Sequence, residues 1–204
     1  RPGSDTSHLA LLGYPPQEYY TGRGPLEAEG TGIRMTAGMI GFRCNFAATD
    51  AEGRVTDRRA GRISGTAPLA EAIRDGVDLS PLGVGFRFES GAGHRAALAL
   101  AGSGLGDKVS SNDPKRDGVR PPAIRPCTDD PEDRKTAEAC NEFIRQSHDI
   151  LSRHPMNVRR MEEGLAPGNL LLIRGAGKMG AFPQFSSRYG LSGSVISAAT
   201  LIAG

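Results

Sequence analysis

Apolar and polar residues alternate between Met39 and Thr49, with Ile40, Phe42, Cys44 and Phe46 on one side and Gly41, Arg43 and Asn45 on the other. A period of two is that of a β-strand whose faces meet different surroundings, so the pattern predicts a strand with Arg43 and Asn45 side by side. Asp50-Ala-Glu-Gly53 carries a hairpin signal, and Arg54 to Ile63 is predicted to return as the partner strand, bringing Arg58, Arg59 and Arg62 with it. A helix over Ala67 to Arg74 precedes two further strands, Val84 to Glu89 and Arg95 to Ala101. The turn between them spans Ser90 to Gly93, and His94 opens the second strand. Hairpins with one helix make a small α+β unit around an antiparallel sheet.

The opening Gly3-Ser4-Asp5-Thr6-Ser7-His8 runs into Leu9, Leu11 and Leu12 before Gly13, which predicts a short helix entered through a Ser or Asp cap, with Ser4 at its positive end. Short helices are also predicted over Pro16 to Tyr20 and Leu26 to Glu29, around a turn at Gly22-Arg-Gly-Pro25. Residues 107–132 combine prolines with many charges and read as a long connection, with a hinge between two bodies as one reading. Asp133 to Arg153 places Ala137, Cys140, Phe143, Ile144, Ile150 and Leu151 at helical spacing and ends before Pro155. A short helix follows near Val158 to Glu163. The run Leu170-Leu-Leu-Ile173 then reads as a buried strand leading into Arg174-Gly-Ala-Gly-Lys178, and Phe182 to Tyr189 with Ser194 to Ala199 repeats helix then strand. That βαβ rhythm predicts a parallel sheet, so residues 1–33 and 169–204 are expected to form one α/β body and residues 34–168 an inserted α+β lid.

Composition narrows the function classes. A charged fraction of 24% and a hydrophobic fraction of 38% are those of an ordinary globular protein, and no apolar run approaches the roughly 20 residues of a membrane helix, so no membrane partner is expected. The N-terminus shows no basic region followed by an apolar stretch, which makes the cytoplasm the default location. Cys44, Cys127 and Cys140 lie far apart, without metal-site or disulfide spacing, and read as reduced thiols. A net charge of +2 is too small for a nucleic-acid surface. Oligomeric state is left open.

Seven tracts then stand out: Gly3-Ser-Asp-Thr-Ser-His-Leu-Ala-Leu-Leu-Gly-Tyr14, Tyr20-Thr-Gly-Arg-Gly-Pro-Leu-Glu27, Gly41-Phe-Arg-Cys-Asn-Phe-Ala47, Asp57-Arg-Arg-Ala-Gly-Arg62, Gly93-His-Arg95, Asn141-Glu-Phe143 and Arg174-Gly-Ala-Gly-Lys178. In this order and spacing they resemble the archaeal-type 2,3-bisphosphoglycerate-independent phosphoglycerate mutases. The resemblance implies an α/β fold of the alkaline phosphatase superfamily: part of an alkaline phosphatase-like core with an inserted α+β domain containing an antiparallel sheet. It also implies interconversion of 3-phosphoglycerate and 2-phosphoglycerate, in glycolysis and gluconeogenesis, through a phosphoserine, with two divalent ions (manganese or magnesium) in the full-length enzyme. Ser7 stands where the family usually has alanine. The family's Asp-Gly metal motif and its further Asp and His ligands are not among these residues, so Ser4 is the one metal ligand expected here, and the fragment by itself is expected to be inactive.

Ser4 is a simple helix cap on residue chemistry alone; the resemblance makes it the nucleophile, its hydroxyl activated by a metal and its helix N-terminus favouring phosphate. Asp5 and His8 are read as shaping the turn. Arg43, Asn45, Arg58, Arg59, Arg62, His94 and Arg95 are the candidate substrate residues, because forked guanidinium groups suit the phosphate and carboxylate of a phosphoglycerate, against the competing reading of a solvated sheet face. Arg58 or Arg59 holding Asp57 is an alternative. Arg174-Gly-Ala-Gly-Lys178 lacks the spacing of a nucleotide-binding loop. Arg174 and Lys178 are expected to reach the substrate, against a turn with a solvated lysine. Two other functions stay open: a metal-dependent phosphomutase or phosphatase of the same superfamily, and a non-catalytic binding module.

Overall fold

A computed structural model of the chain describes residues 3–194. Three short helices come first: α1 (Ser4–Leu11), α2 (Pro16–Tyr19) and α3 (Arg23–Gly30). Then follow β1 (Ile40–Thr49), β2 (Val55–Asp57), α4 (Ala67–Gly76), β3 (Gly85–Ser90), β4 (Arg95–Ala101), α5 (Pro131–Arg153), α6 (Pro155–Glu162), β5 (Leu170–Lys178) and α7 (Phe185–Tyr189). The strands lie in the order β3-β4-β1-β5, with β2 paired to the end of β1 at Ala48 and Thr49, and every pairing among the described residues is antiparallel.

The even-numbered side of β1 behaves as its alternation demands. Ile40, Phe42, Cys44 and Phe46 join Leu98, Leu100, Leu171 and Ile173 from the neighbouring strands, and α4 and α5 cover them with Leu69, Ile73, Cys140 and Phe143. Phe143 stands 5.2 Å and 5.6 Å, centroid to centroid, from Phe86 and Phe88. α5 starts two residues earlier than expected, because the Asp130 side chain accepts from the Glu132 N–H and Pro131 occupies the first turn.

The division at Asn169 is corrected. β5 pairs with β1 from Ala47 opposite Leu170 to Ile40 opposite Lys178, so residues 34–106 and 170–178 share one sheet. A continuous Leu-Leu-Leu-Ile run suggests a parallel strand because both faces must be buried, and here an antiparallel strand meets that condition. Leu171 and Ile173 enter the main core, while Leu170 and Leu172 pack with Ala47 and Val55. α3, expected in the other body, lies on this sheet too, with Ala28 among Ile33, Met35, Met39, Ala97 and Ala99. The strand expected over Ser194 to Ala199 falls outside the described residues apart from Ser194.

Residues 107–132 are stitched to the sheet, which corrects the hinge reading. The Asn112 amide donates to the Leu171 carbonyl at 2.9 Å and accepts from the Ile173 N–H at 2.6 Å, occupying the outer edge of β5 as a further strand would. Val55 likewise exchanges backbone hydrogen bonds with residues 118 and 119. A chain so rich in proline makes few ladders of its own, but its polar groups still need partners when buried, and the sheet edges provide them.

Candidate functional site

The odd-numbered side of β1 gathers candidate site residues. Arg43 and Asn45 are 8% and 6% exposed, close to the burial of the core. Register sets Arg43 opposite Arg174 of β5, and Asn45 opposite Arg95 of β4. Residues directly opposite in a ladder share a face, so four predicted site residues from three strands are gathered on one side. Arg43 Nε and Asn45 Oδ1 are buried without a hydrogen-bond partner. Leaving such groups unpaired costs about 1–3 kcal/mol each, and a polar ligand is one way of relieving that cost.

α3 supplies the counter-charge. Glu27, 2% exposed, accepts from Arg23 Nε at 2.8 Å, and the same carboxylate oxygen lies 3.4 Å from Arg43 Nη1. Burial pushes the Arg43 guanidinium down to about 10; Glu27 opposes the shift, and Arg23, Arg174 and Arg95 add to it. Arg43 therefore stays cationic at neutral pH. His94, just before β4, is lowered by burial and then by Arg95, Arg59 and Arg43, with Asp57 opposing, which keeps its ring neutral near pH 7.

Glycines bring α3 this close. A side chain at Gly24 would approach the Gly41 carbonyl oxygen to 2.0 Å, one at Gly22 the Ala176 carbonyl oxygen to 2.3 Å, and one at Gly177 the Thr21 carbonyl oxygen to 2.6 Å. Main chain rests on main chain over Thr21 to Pro25. Arg174-Gly-Ala-Gly-Lys178 is thus the second half of a strand rather than a loop, its glycines admitting α3.

Other expectations change. β2 ends at Asp57, and residues 60–62 make a turn with φ of 47°, 63° and 57°, so Arg58, Arg59 and Arg62 do not ride on a strand. Asp57 oxygens accept the Arg59 and Gly61 N–H groups at 2.7 and 2.8 Å, which folds the chain out of the extended form and makes backbone, not an arginine side chain, the holder of Asp57. Arg58 is bound through both Nε and Nη2 to Asp113, each at 2.8 Å; Asp113 Oδ2 is also 3.8 Å from Arg174 Nε. It braces the edge of the group. Arg59 lies near enough to His94 to affect it electrostatically, whereas Arg62 is exposed on the turn and is not drawn into the group. Lys178 stands opposite Ile40 after a register shift, and its ammonium is 3.9 Å from Glu132 at the start of α5, away from Arg43.

At α1, Gly3 is the cap residue and makes no side-chain hydrogen bond, so Ser4 opens the helix as an exposed first-turn residue, not as its cap. Asp5 Oδ2 accepts from the Tyr20 hydroxyl at 2.6 Å, and Asp5 Oδ1 from the Thr6 N–H. Burial raises the Asp5 carboxyl, but these bonds outweigh it, Arg23 adds to them, and the group is held below its ordinary value. Among the described residues no group of three or more His, Cys, Asp or Glu side chains could hold a metal ion. Ser4 has one neighbouring carboxylate in sequence, already engaged, so a pair of divalent ions does not fit this donor set. A cavity of about 630 Å³ lies elsewhere, between α5 and residues 78–82, and its amides are in use: Gln146 bonds Asp78 and Asn141 bonds Ile124.

Arg23 and Glu27 were missed by the sequence reading. Their i,i+4 spacing inside the Tyr20 to Glu27 tract was the available signal, but an exposed helix pair shows the same spacing, and only burial sets this one apart.

The family model described as 2,3-bisphosphoglycerate-independent phosphoglycerate mutase matches residues 1–157. Among curated proteins, the enzyme of that name from Methanoculleus marisnigri is 83% identical over 204 residues, covering 100% of this chain and 50% of its own. Its counterpart from Methanosphaerula palustris is 65% identical with the same coverage. The solved cofactor-independent phosphoglycerate mutase of Thermoplasma acidophilum is 40% identical with a TM-score of 0.77, covering 98% of this chain and 53% of that one. The chain spans about half the length of the curated relatives it matches.

Proposed function

Since the chain belongs to the 2,3-bisphosphoglycerate-independent phosphoglycerate mutase family, we propose that this protein, at the full length of its relatives, interconverts 3-phosphoglycerate and 2-phosphoglycerate, with Ser4 as phosphoryl acceptor and the arginine face as the seat of the glycerate. One observation carries the reading: Arg43 and Asn45, two residues apart on one face of β1 and opposite Arg174 and Arg95, with His94 nearby, each bury a polar atom, Nε and Oδ1, without a partner. A guanidinium donor next to an amide acceptor suits a molecule bearing both anionic oxygens and a hydroxyl.

In this reading the Ser4 Oγ–P bond forms as the substrate's C–O–P bridge breaks at phosphorus, and the serine proton passes to the released glycerate oxygen. The arginines retain the glycerate while it turns, and its other hydroxyl then takes the phosphoryl group back with the reverse proton movement. Retention matters because glycerate lost at this stage would leave the phosphoserine to water, a phosphatase outcome. The alkaline phosphatase-like core is assigned here only to the segment carrying Ser4. Two divalent ions, manganese or magnesium, belong to the family reading, and no step above is built on them. A small-molecule substrate and a cytoplasmic setting complete the proposal.

The test is Ser4→Ala in the full-length enzyme. A hydroxyl replaced by hydrogen removes the acceptor while leaving the arginine face, so 2-phosphoglycerate formation should fall below about 1% of the parent, a barrier increase of roughly 3 kcal/mol or more. The melting temperature should stay near the parent's, since Ser4 makes no capping bond. A folded variant keeping more than that activity removes phosphoserine chemistry at this position.

A further inference from the structure

Arg23 has no place in the catalytic roles assigned above, yet the fold fixes it with unusual care. Its own root is set by the glycine contacts that lay Thr21 to Pro25 on β1 and β5, and by the Thr21 hydroxyl donating to the Lys178 carbonyl. Gly175 of β5 takes φ of 69°, a backbone form that favours glycine, where the strand passes the Arg23 Cβ on α3.

Arg23 and Arg43 converge on a single oxygen of Glu27. Their side chains differ in depth, 30% exposed for Arg23 and 10% for Arg43, which makes Arg23 the outer and Arg43 the inner member of a pair. Two guanidinium groups on one buried carboxylate leave a net positive charge, with the carboxylate keeping them together when no anion is bound. Three residues before Arg23, Tyr20 donates to Asp5, the neighbour of Ser4. Arg23 therefore stands between the turn that carries the serine and the depth of the arginine face, and an unpartnered Nε on buried Arg43 marks that depth as built for a further acceptor.

We infer that Arg23 is a further anion-binding residue, holding the phosphoryl group of the substrate at the outer end of the Arg43 face, with Glu27 as the positioning residue for both arginines. This rests on the reading of Ser4 as phosphoryl acceptor. The ligand chemistry is that of a phosphomonoester dianion: Arg23 takes its oxygens nearest Ser4, while Arg43 and Asn45 take the inner part of the molecule.

The test compares full-length enzyme with Arg23→Gln, Arg23→Lys and Glu27→Gln, measuring kcat, KM, and the affinity for inorganic phosphate and for D-glycerate by calorimetry. Arg23→Gln is expected to weaken inorganic phosphate binding at least tenfold and lower kcat/KM at least a hundredfold, with D-glycerate affinity changed less than threefold. Arg23→Lys should recover phosphate affinity in part, because charge is kept and the fork is lost, and it keeps the test alive if the glutamine variant fails to fold. Glu27→Gln should lower kcat with phosphate affinity retained, a split that simple loss of fold would not produce. Parent-like phosphate affinity and kcat/KM in folded Arg23→Gln would overturn the inference even if Ser4→Ala is inactive. An active Ser4→Ala would instead overturn the reading beneath it, since phosphate binding at Arg23 is measured without turnover.

Discussion

Strand β1 builds two different interiors. Toward α4 and α5 its side chains are sealed among aliphatic and aromatic groups. Toward α3 it buries Arg43 and Asn45 to nearly the same degree, yet leaves one polar atom of each without a partner. Burial by itself therefore does not mark a core. The first face is closed by atoms the protein already has. The second is closed only to solvent, and the desolvation it imposes on Arg43 is incompletely balanced by Glu27. Stability should reside on the first face and recognition on the second.

The sharpest attempt to break that division pairs Phe143→Ala with Arg43→Met. Phe143 is fully buried against Phe86 and Phe88, so its truncation should cost about 3–5 kcal/mol in unfolding free energy. In the full-length enzyme, the proposed mutase activity per folded molecule should persist. Arg43→Met in the full-length enzyme should do the reverse: kcat/KM should fall by more than about 100-fold, roughly 2.7 kcal/mol, with a smaller loss of stability than Phe143→Ala. Denaturant unfolding beside steady-state kinetics checks both. An Arg43→Met variant that is active but unfolds readily would make the second face ordinary core.

A smaller effect is expected at the sheet edge, which belongs to neither face. Asn112→Ala leaves the Leu171 carbonyl and the Ile173 N–H without the partners that the amide supplies, and should cost about 2–4 kcal/mol in urea unfolding. Loss of under about 1 kcal/mol would mean that the 107–132 segment is not fastened there.

The smallest effect is electrostatic. His94 faces Arg95, Arg59, Arg43 and Asp57, and its folded pKa lies below the ordinary 6.5. As pH falls below 6.5 the unfolded state takes up the proton first, so stability present above that value is lost through the window down to the folded pKa. His94→Gln should flatten that acid-side slope in melting temperature. Added phosphate should narrow the window in the parent, because an anion among the arginines favours the imidazolium.

Local pattern carried much of this. The alternation over 40–49 and the helical spacing over 133–153 specified β1 and α5, since both periods arise from backbone geometry that tertiary context seldom overrides. Arg43, Asn45, Arg95 and Arg174 were recognisable, but their meeting on one face depends on register, which alternation alone does not supply. The place of Lys178 depends on register as well: a shift between Gly41 and Arg43 sets it opposite Ile40. The position of β5 was hidden because a fully buried antiparallel strand and a parallel one have the same composition. The turn at 60–62 was hidden because Asp57 captures backbone amides that a strand would have used.

The lateness of β5 in the chain has a temporal consequence. β1 contacts it across roughly 130 residues of sequence, and by the time Leu170 is synthesised both walls of its slot, β1 on one side and the Asn112 segment on the other, already exist. Among the described residues β5 is the last strand of this sheet, so the nascent protein carries a bare edge on β1 until translation passes Lys178, with Arg43 lacking Arg174 beside it. Assembly of the arginine face and closure of the sheet are then one folding event.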